Sequence, residues 1–393
     1  MFTSQTSFQD SIDGDDKDAE LDSEEILGSG QKSAQSLTCY YALYFYQSTR
    51  SPEPEDSQAR SHRRTDSASH DDFSLSLVDS SLPPEAEPEL RGYISRRLSK
   101  GALLGGMGNI ATVELSVHEP ALGCYCCLLE TDRQGDRQAE EEEGGNANYV
   151  VCFLGGSEKG LNLFRLELDK YVQGLQSWLC PEVSGLEGAV GPYLSGWYED
   201  SVMHIQRVVQ LVQDNVCFLL HAALSNTHMD ITGADERTRT DICRFVKAAS
   251  LQGLVQEEST AASLCTALSE DGARYLLIDC SEPSPRFTNA VSNRFCDGWV
   301  PAFLNAAEGG NPFLLRQILE NFKLKAIQDM NNLKRFIGQA EMSHYALFRC
   351  AVFLRSCGNG DVLLQNARAE HSGQPQGASI VRVLEEFLSE PGD

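Results

Sequence analysis

The chain has 393 residues, 57 acidic against 32 basic, a formal net charge of −25, and a hydrophobic content of 41%. A charge of that sign excludes attraction to DNA, RNA or anionic lipid as the main activity, because such binding needs clustered Lys and Arg to displace counterions. A membrane span needs roughly 20 predominantly apolar residues, and the nearest runs, 37–46 and 216–224, are too short.

Residues 1–90 hold 19 acidic against 6 basic residues, a net of −13 and about half of the total. Their Ser, Asp, Glu and Pro content buries too little apolar surface to offset chain entropy, which predicts a mostly disordered acidic segment. Two stretches interrupt it. Residues 37–46 are aromatic-rich with strand propensity and are expected to add an edge strand, to the folded part or to a partner. Residues 73–78 alternate apolar side chains with serine.

Period two starts at Ile110, with Val113, Leu115 and Val117 on one side of a strand. A second strand is expected over 123–130, an acidic loop around 140–145, and a third strand over 149–154, together an antiparallel meander. Gly155-Gly156 ends it. Leu161, Phe164, Leu168, Val172, Leu175 and Leu179 then recur at helical steps. After Gly191-Pro192, residues 197–224 carry Val202, Ile205, Val209, Val212, Val216 and Leu219 at steps of three and four, predicting one central packing helix. These elements define a sheet-and-helix domain over 91–230.

The remainder, 231–393, reads as a mixed helical and β-hairpin domain. A helix is expected over 242–251 and a strand over 275–279. Asn311 suits an N-cap and Pro312 the first helical position, opening a helical tract through Ile337 with a break around Met330. Ala346, Phe348, Cys350, Val352 and Leu354 alternate, and Gly358-Asn-Gly360 offers positive φ, so 345–364 is read as a hairpin. A last helix is expected over 380–388. The predicted class is α+β: an antiparallel sheet with long packing helices, preceded by the disordered acidic segment.

Thirteen cysteines, an odd number, are scattered through apolar runs, and no signal-peptide pattern or Asn-X-Ser/Thr acceptor occurs. Structural thiols in a reducing, cytoplasmic compartment fit this best. Cys124, Cys126 and Cys127, with His118 nearby, invite a metal reading, but zinc needs four converging ligands and adjacent strand residues point to opposite faces. The glycine-rich 101–108 lacks the Lys-Ser/Thr ending of a phosphate loop. Ser157 in 155–160 is one residue out of a nucleophile-elbow frame. His204, His221 and His228 could be grouped with Asp214 or Asp230, yet the first two lie roughly 25 Å apart along a straight helix. The expectation is therefore no catalytic set, no metal and no cofactor. A hydrolase or thiol enzyme using Ser157 or the cysteines at 124–127 is the weaker alternative. Ser67 and Ser99, each preceded by an Arg pair, are possible phosphorylation sites for a basic-directed kinase. Lys323 and Lys325 are taken as a possible partner surface.

The tracts 313–329, 332–337, 344–348 and 383–387 resemble the extreme C-terminal region of the seizure-threshold scaffold of the KICSTOR complex. That family has very long chains, so the resemblance implies a C-terminal fragment or a short gene model. It further implies a non-enzymatic scaffold piece, recruited to the lysosomal membrane through partners, that links KICSTOR to GATOR1 and restrains mTORC1 when nutrients are scarce. The strands ahead of Leu161 suggest an alternative, a longin-like or roadblock-like subunit of a membrane-trafficking complex.

Overall fold

Short runs of alternating apolar residues, one of them inside the acidic N-terminal segment, build the first layer. The computed structural model describes residues 39–48, 73–103, 105–130, 148–179, 186–251, 275–340, 342–371 and 375–389. In chain order the layer comprises β1 (Cys39–Ser48), β2 (Phe73–Ser80), α1 (Glu87–Ser99), β3 (Asn109–Leu115), β4 (His118–Glu130) and β5 (Asn148–Gly155). The five strands form one sheet in the order β2-β1-β5-β4-β3, every pairing antiparallel. The predicted meander is β3-β4-β5. Val117 does not continue β3 inward, because the strand ends at Leu115 and Val117 lies exposed in the turn.

β1 corrects the expectation of an edge strand. It pairs with β2 on one side and β5 on the other, and Ala42, Leu43 and Tyr44 are fully buried. Successive residues face opposite sides of a sheet, so three consecutive buried positions mean that both faces are covered. Both stretches that interrupt the acidic segment 1–90 are thus strands, and α1 begins within it. Residues 1–38 and 49–72, Ser67 among them, lie outside the described residues, as does the acidic loop at 140–145.

One face of the sheet packs against α1. Leu90 and Ile94, one turn apart, meet Ala42, Tyr44, Cys124, Cys126, Val150, Cys152 and Leu154. The helix carries Glu87 and Glu89 in its first turn and Arg96 and Arg97 in its last, each complementing the local end of the helix dipole. Behind the opposite face run α2 (Glu158–Asn162), α3 (Arg165–Trp178), α4 (Leu186–Ser195) and α5 (Trp197–Ser201). Phe153 is the centre of that side, stacked on Tyr125 at 6.0 Å and on Trp197 at 5.0 Å. The helical steps predicted from Leu161 to Leu175 are buried throughout.

The single helix expected over 197–224 is instead α5, then α6 (His204–Val212), a 3-10 turn (Gln213–Asn215) and α7 (Val216–Ser225). Gln213 has φ 52, and the polar triplet Gln213-Asp214-Asn215 turns outward between two apolar stretches. The run His204–Ser225 is long and apolar enough to cross a membrane, which the sequence reading missed; 67% of its most apolar window is buried inside the protein, as a core helix requires. β6 (Met229–Thr232), α8 (Glu236–Ala249), β7 (Leu276–Asp279) and β8 (Arg286–Thr288) come next. They include a second sheet in the order β6-β7-β8, of which the sequence marks only β7.

The C-terminal layer is helical: α9 (Arg294–Glu308), α10 (Pro312–Ala340), α11 (His344–Ser356), α12 (Gly360–His371) and α13 (Pro375–Ser389). Asn311 caps α10 as expected, its side-chain oxygen accepting from the N–H of Phe313 at 3.1 Å and of Leu314 at 3.2 Å. α10 runs unbroken through Met330 for 29 residues. The predicted hairpin at 345–364 is α11 and α12. Cys350, Ala351 and Leu354 are the buried positions of α11, a helical spacing, and they meet Leu333 and Ile337 of α10. The alternation was a coincidence, for Phe348 and Val352 point away from this core. Gly358 does adopt φ 81, but it joins two helices.

Thr38–Asp393 form one compact unit, so the boundary drawn at residue 230 falls inside it. α10 is the link: besides α11 it packs on α2, α6 and α8. Phe313 anchors it over Gly156 and Gly160, where an added Cβ would come within 2.5 Å and 2.9 Å of the phenyl ring. Missing side chains at those glycines let the long helix approach the sheet layer.

Candidate protein-binding surface

The groups with reactive potential lie mainly in the interior. Strand alternation puts Cys124 and Cys126 on the α1 side, and cross-strand register sets Cys152 opposite Cys126. The Sγ atoms of Cys124 and Cys126 are 3.3 Å apart and those of Cys126 and Cys152 3.4 Å apart; all three thiols are buried and lie within 4.8 Å of one another. Cys127, grouped with the first two in the sequence, faces the other side, where burial pushes its thiol up to about 11. Cys152 was missed, although pairing 124–126 with 152–154 would have found it. The three sulfurs are soft donors of the type that bind Zn²⁺ or Cu⁺, but no fourth ligand joins them among the described residues and α1 seals them from solvent. They fill core volume as small apolar groups.

Ser157 caps α2, its Oγ accepting from the N–H of Gly160 at 3.1 Å. The stretch 101–108 links α1 to β3, with φ 62 at Gly101 and φ 73 at Gly106. The three histidines do not converge with the acids considered for them. His204 is sealed beside Phe164; burial, aided by the charges of Arg316, Arg244 and Arg207, lowers it to about 3, so it is neutral. His221 meets Asp361, its Nε2 lying 2.9 Å from Oδ2, while Asn293 Nδ2 donates to Oδ1 at 2.9 Å. That clip ties α7, the N-cap of α9 and α12 together, and its acid comes from 140 residues away rather than from Asp214 or Asp230.

The surface candidates divide into an exposed hydroxyl and two engaged lysines. Ser99 is exposed as the last residue of α1, its hydroxyl donating to the Ser95 carbonyl at 2.9 Å. Lys323 is mostly covered, at 17% side-chain exposure, and pairs with Glu320 at 3.1 Å. Lys325 is half exposed and pairs with Asp329 at 3.1 Å. Burial pushes the Asp329 carboxyl up, with Lys325 opposing the shift. Both lysines thus serve contacts within α10.

α11 presents the feature left without a structural role. Tyr345, Phe348 and Val352 are 71%, 63% and 49% exposed. Steps of three and four place them on one side of the helix, opposite the buried Cys350, Ala351 and Leu354. Basic groups flank this row. Arg335 on α10 and Arg349 on α11 lie with their guanidinium carbons 5.6 Å and 5.7 Å from the ring centre of Phe336, which packs on Phe353 at 5.3 Å. Arg355 is exposed on the other flank and donates to the Phe387 carbonyl. Among the described residues no carboxylate pairs with Arg335, Arg349 or Arg355. Residues 330–356 hold four Lys or Arg against one acidic residue, in a chain of net charge −25. The sequence reading missed this surface because it took the same apolar residues for the inward side of a strand.

Comparison with known proteins fixes the lineage. The Njmu-R1-like protein family matches residues 41–390. The Mus musculus protein named Protein Njmu-R1 is 51% identical over 388 residues, 98% of this chain and 98% of its own. No solved structure matches. These findings overturn the resemblance to the KICSTOR scaffold, and with it the GATOR1, mTORC1 and lysosomal expectations: the short helical tracts that suggested it are amphipathic patterns shared by many packing helices, whereas this match spans nearly the whole chain. Nor does either finding point to a longin-like trafficking subunit, so that alternative falls too. The chain belongs to the Njmu-R1-like protein family.

Proposed function

We propose that this chain is a non-catalytic protein-binding subunit that holds a partner protein on its C-terminal helical layer. The observation that carries the reading is the row Tyr345, Phe348 and Val352 on α11. Large apolar side chains in register on one exposed helix face, rimmed by arginine, make the kind of patch that marks an interaction site. The groups with reactive potential support it from the other side: the thiol cluster is sealed, Ser157 caps a helix, and His221 is engaged by Asp361. Work in a reducing compartment is supported by the free thiols of the described cysteines, with Cys243 exposed.

The test is affinity purification of the tagged full chain with quantitative mass spectrometry, beside a Tyr345→Ser, Phe348→Ser, Val352→Ser variant. All three side chains are exposed, so the variant keeps its circular dichroism and melting temperature. The expected result is a partner recovered near 1:1, lost from the variant, and reconstituted from purified proteins. A partner set unchanged by the triple substitution refutes the surface.

A further inference from the structure

The chemistry around α11 specifies the kind of partner. Building on the reading of that helix as a docking face, we infer that the surface formed by α11 and the end of α10 receives an acidic amphipathic helix of another protein, packed along the row Tyr345, Phe348 and Val352.

The row has a definite shape. Its three exposed side chains span about two turns, so their Cβ atoms lie along roughly 10 Å of helix axis. A ridge of that form is matched by a second helix with apolar residues at i, i+3 or i+4, and i+7, the recurring helix-on-helix recognition pattern. Tyr and Arg are, with Trp, the side chains enriched among those that carry binding energy at such contacts, and the first two are present here.

Charge then selects among occupants. Arg349 and Arg355 stand on opposite flanks of the row, and Arg335 adds a third guanidinium from the neighbouring helix. Among the described residues none of the three is neutralised by a carboxylate, while other basic groups of this layer are: Lys325 by Asp329, Lys334 by Glu370 and Arg368 by Glu385. A partner helix with Glu or Asp bordering its apolar stripe would pair with both flanks at once. A second copy of this chain in a two-fold contact would set the same arginines against each other, since an isologous interface opposes identical patches. An anionic membrane would meet only this small basic face on a molecule of net charge −25, and a few basic groups give weak attraction to such a surface. The acidic helix is the occupant that satisfies both the row and its rims.

The test is a display selection against the purified full chain. The probe is a library of 18-residue helix-forming peptides with Leu fixed at i, i+4, i+7 and i+11 and every other position randomised. Clones are kept if they bind the wild type and not the Tyr345→Ser, Phe348→Ser, Val352→Ser variant. The expected outcome is enrichment of Asp and Glu beside the leucine stripe. Affinity should weaken at least tenfold on Arg335→Glu with Arg349→Glu, and severalfold between 50 and 300 mM salt, because flanking charges are screened. Enriched clones that are uncharged or basic overturn the partner chemistry but leave α11 as a binding face. Failure to recover any clone that distinguishes the two baits overturns the proposal. So does stronger retention on phosphatidylserine vesicles than on the peptides, or self-association abolished by the triple substitution.

Discussion

Removing the Arg316 side chain should separate the two layers of the molecule energetically. Arg316 lies on α10 with its side chain 8% exposed. It reaches Glu167 of α3 at 3.0 Å and Glu320 of its own helix at 3.0 Å, with the guanidinium carbon 5.5 Å from the ring centre of Phe164. The second oxygen of Glu167, Oε2, is buried with no hydrogen-bond partner among the described residues, so that carboxylate depends on the arginine. Deleting one partner of a buried pair costs about 3–5 kcal/mol. Glu167 keeps 24% of its side-chain exposure, which reduces the figure to about 2–4 kcal/mol by letting water screen the stranded charge. With a urea m-value of about 3 kcal/mol/M for a chain of this size, Arg316→Ala should lower the unfolding midpoint by about 1 M. Arg316→Met, which keeps the stem over Phe164, should recover less than half of that. Urea titration followed by the fluorescence of the three tryptophans provides the measurement, and a cycle with Glu167→Gln should give a coupling of at least 1 kcal/mol. A midpoint within about 0.2 M of wild type, or a coupling near zero, would refute the claim that this pair holds the helical layer to the sheet layer.

Asp361 gives the chain an acid-sensitive joint. Burial opposes its ionisation, but hydrogen bonds from His221, the Val362 N–H and Asn293 outweigh that and hold its carboxyl below the usual range. A depressed acid stabilises fully above its unfolded value, about 3.9, and the contribution is lost as pH falls through the folded value. Asp361→Asn should therefore reduce stability at pH 7 and flatten the decline below about pH 4, read by circular dichroism along an acid titration; parallel curves for the two proteins would count against the clip. Gly123→Ala should cost about 1–3 kcal/mol, because the new Cβ would lie 2.6 Å from the backbone carbon and oxygen of Ser157. Gly298→Ala in α9 meets nothing within 4 Å and should stabilise by about 0.5–1 kcal/mol; thermal melts that rank the two variants the other way would contradict the packing described. Finally, a thiol reagent mapped by mass spectrometry should label Cys243 in the native protein and leave Cys124, Cys126 and Cys152 untouched until denaturant is added. Early labelling of the trio would mean that α1 opens readily.

The sequence disclosed elements whose signal is local. Period two at 110–115 and the continuous apolar run at 149–154 marked strands, Asn311-Pro312 marked a helix start, and the apolar steps from Leu161 marked a helix, because each signal lies within a few residues of sequence. Long-range consequences were hidden. Nothing near 39–48 says that β5 will cover its second edge, and nothing near Asp214 says that His221 will choose Asp361. The error at 345–364 was physical: an amphipathic helix with apolar residues on its exposed side as well as its buried side shows fewer polar interruptions, so every second position reads as apolar and mimics a strand. The residues that make α11 a candidate binding face are the ones that disguised it.

The placement of β1 changes what trimming this chain would do. A cut at residue 90, the natural choice if everything before it were a loose acidic tail, would take away the strand that pairs with β5 along eight positions, together with β2 and the first turn of α1. β5 would become a bare edge with its amide and carbonyl groups unpaired, a template for strand addition between molecules, and Ile94 and the thiol face would lose Leu90, Tyr44 and Ala42 as cover. Such a product would be recovered as aggregate, or bound to chaperones, and its interaction list would report exposed sheet rather than biology. A truncation that keeps both paired strands has to stop before Thr38, and any shortening within 49–72 has to leave β1 and β2 in place.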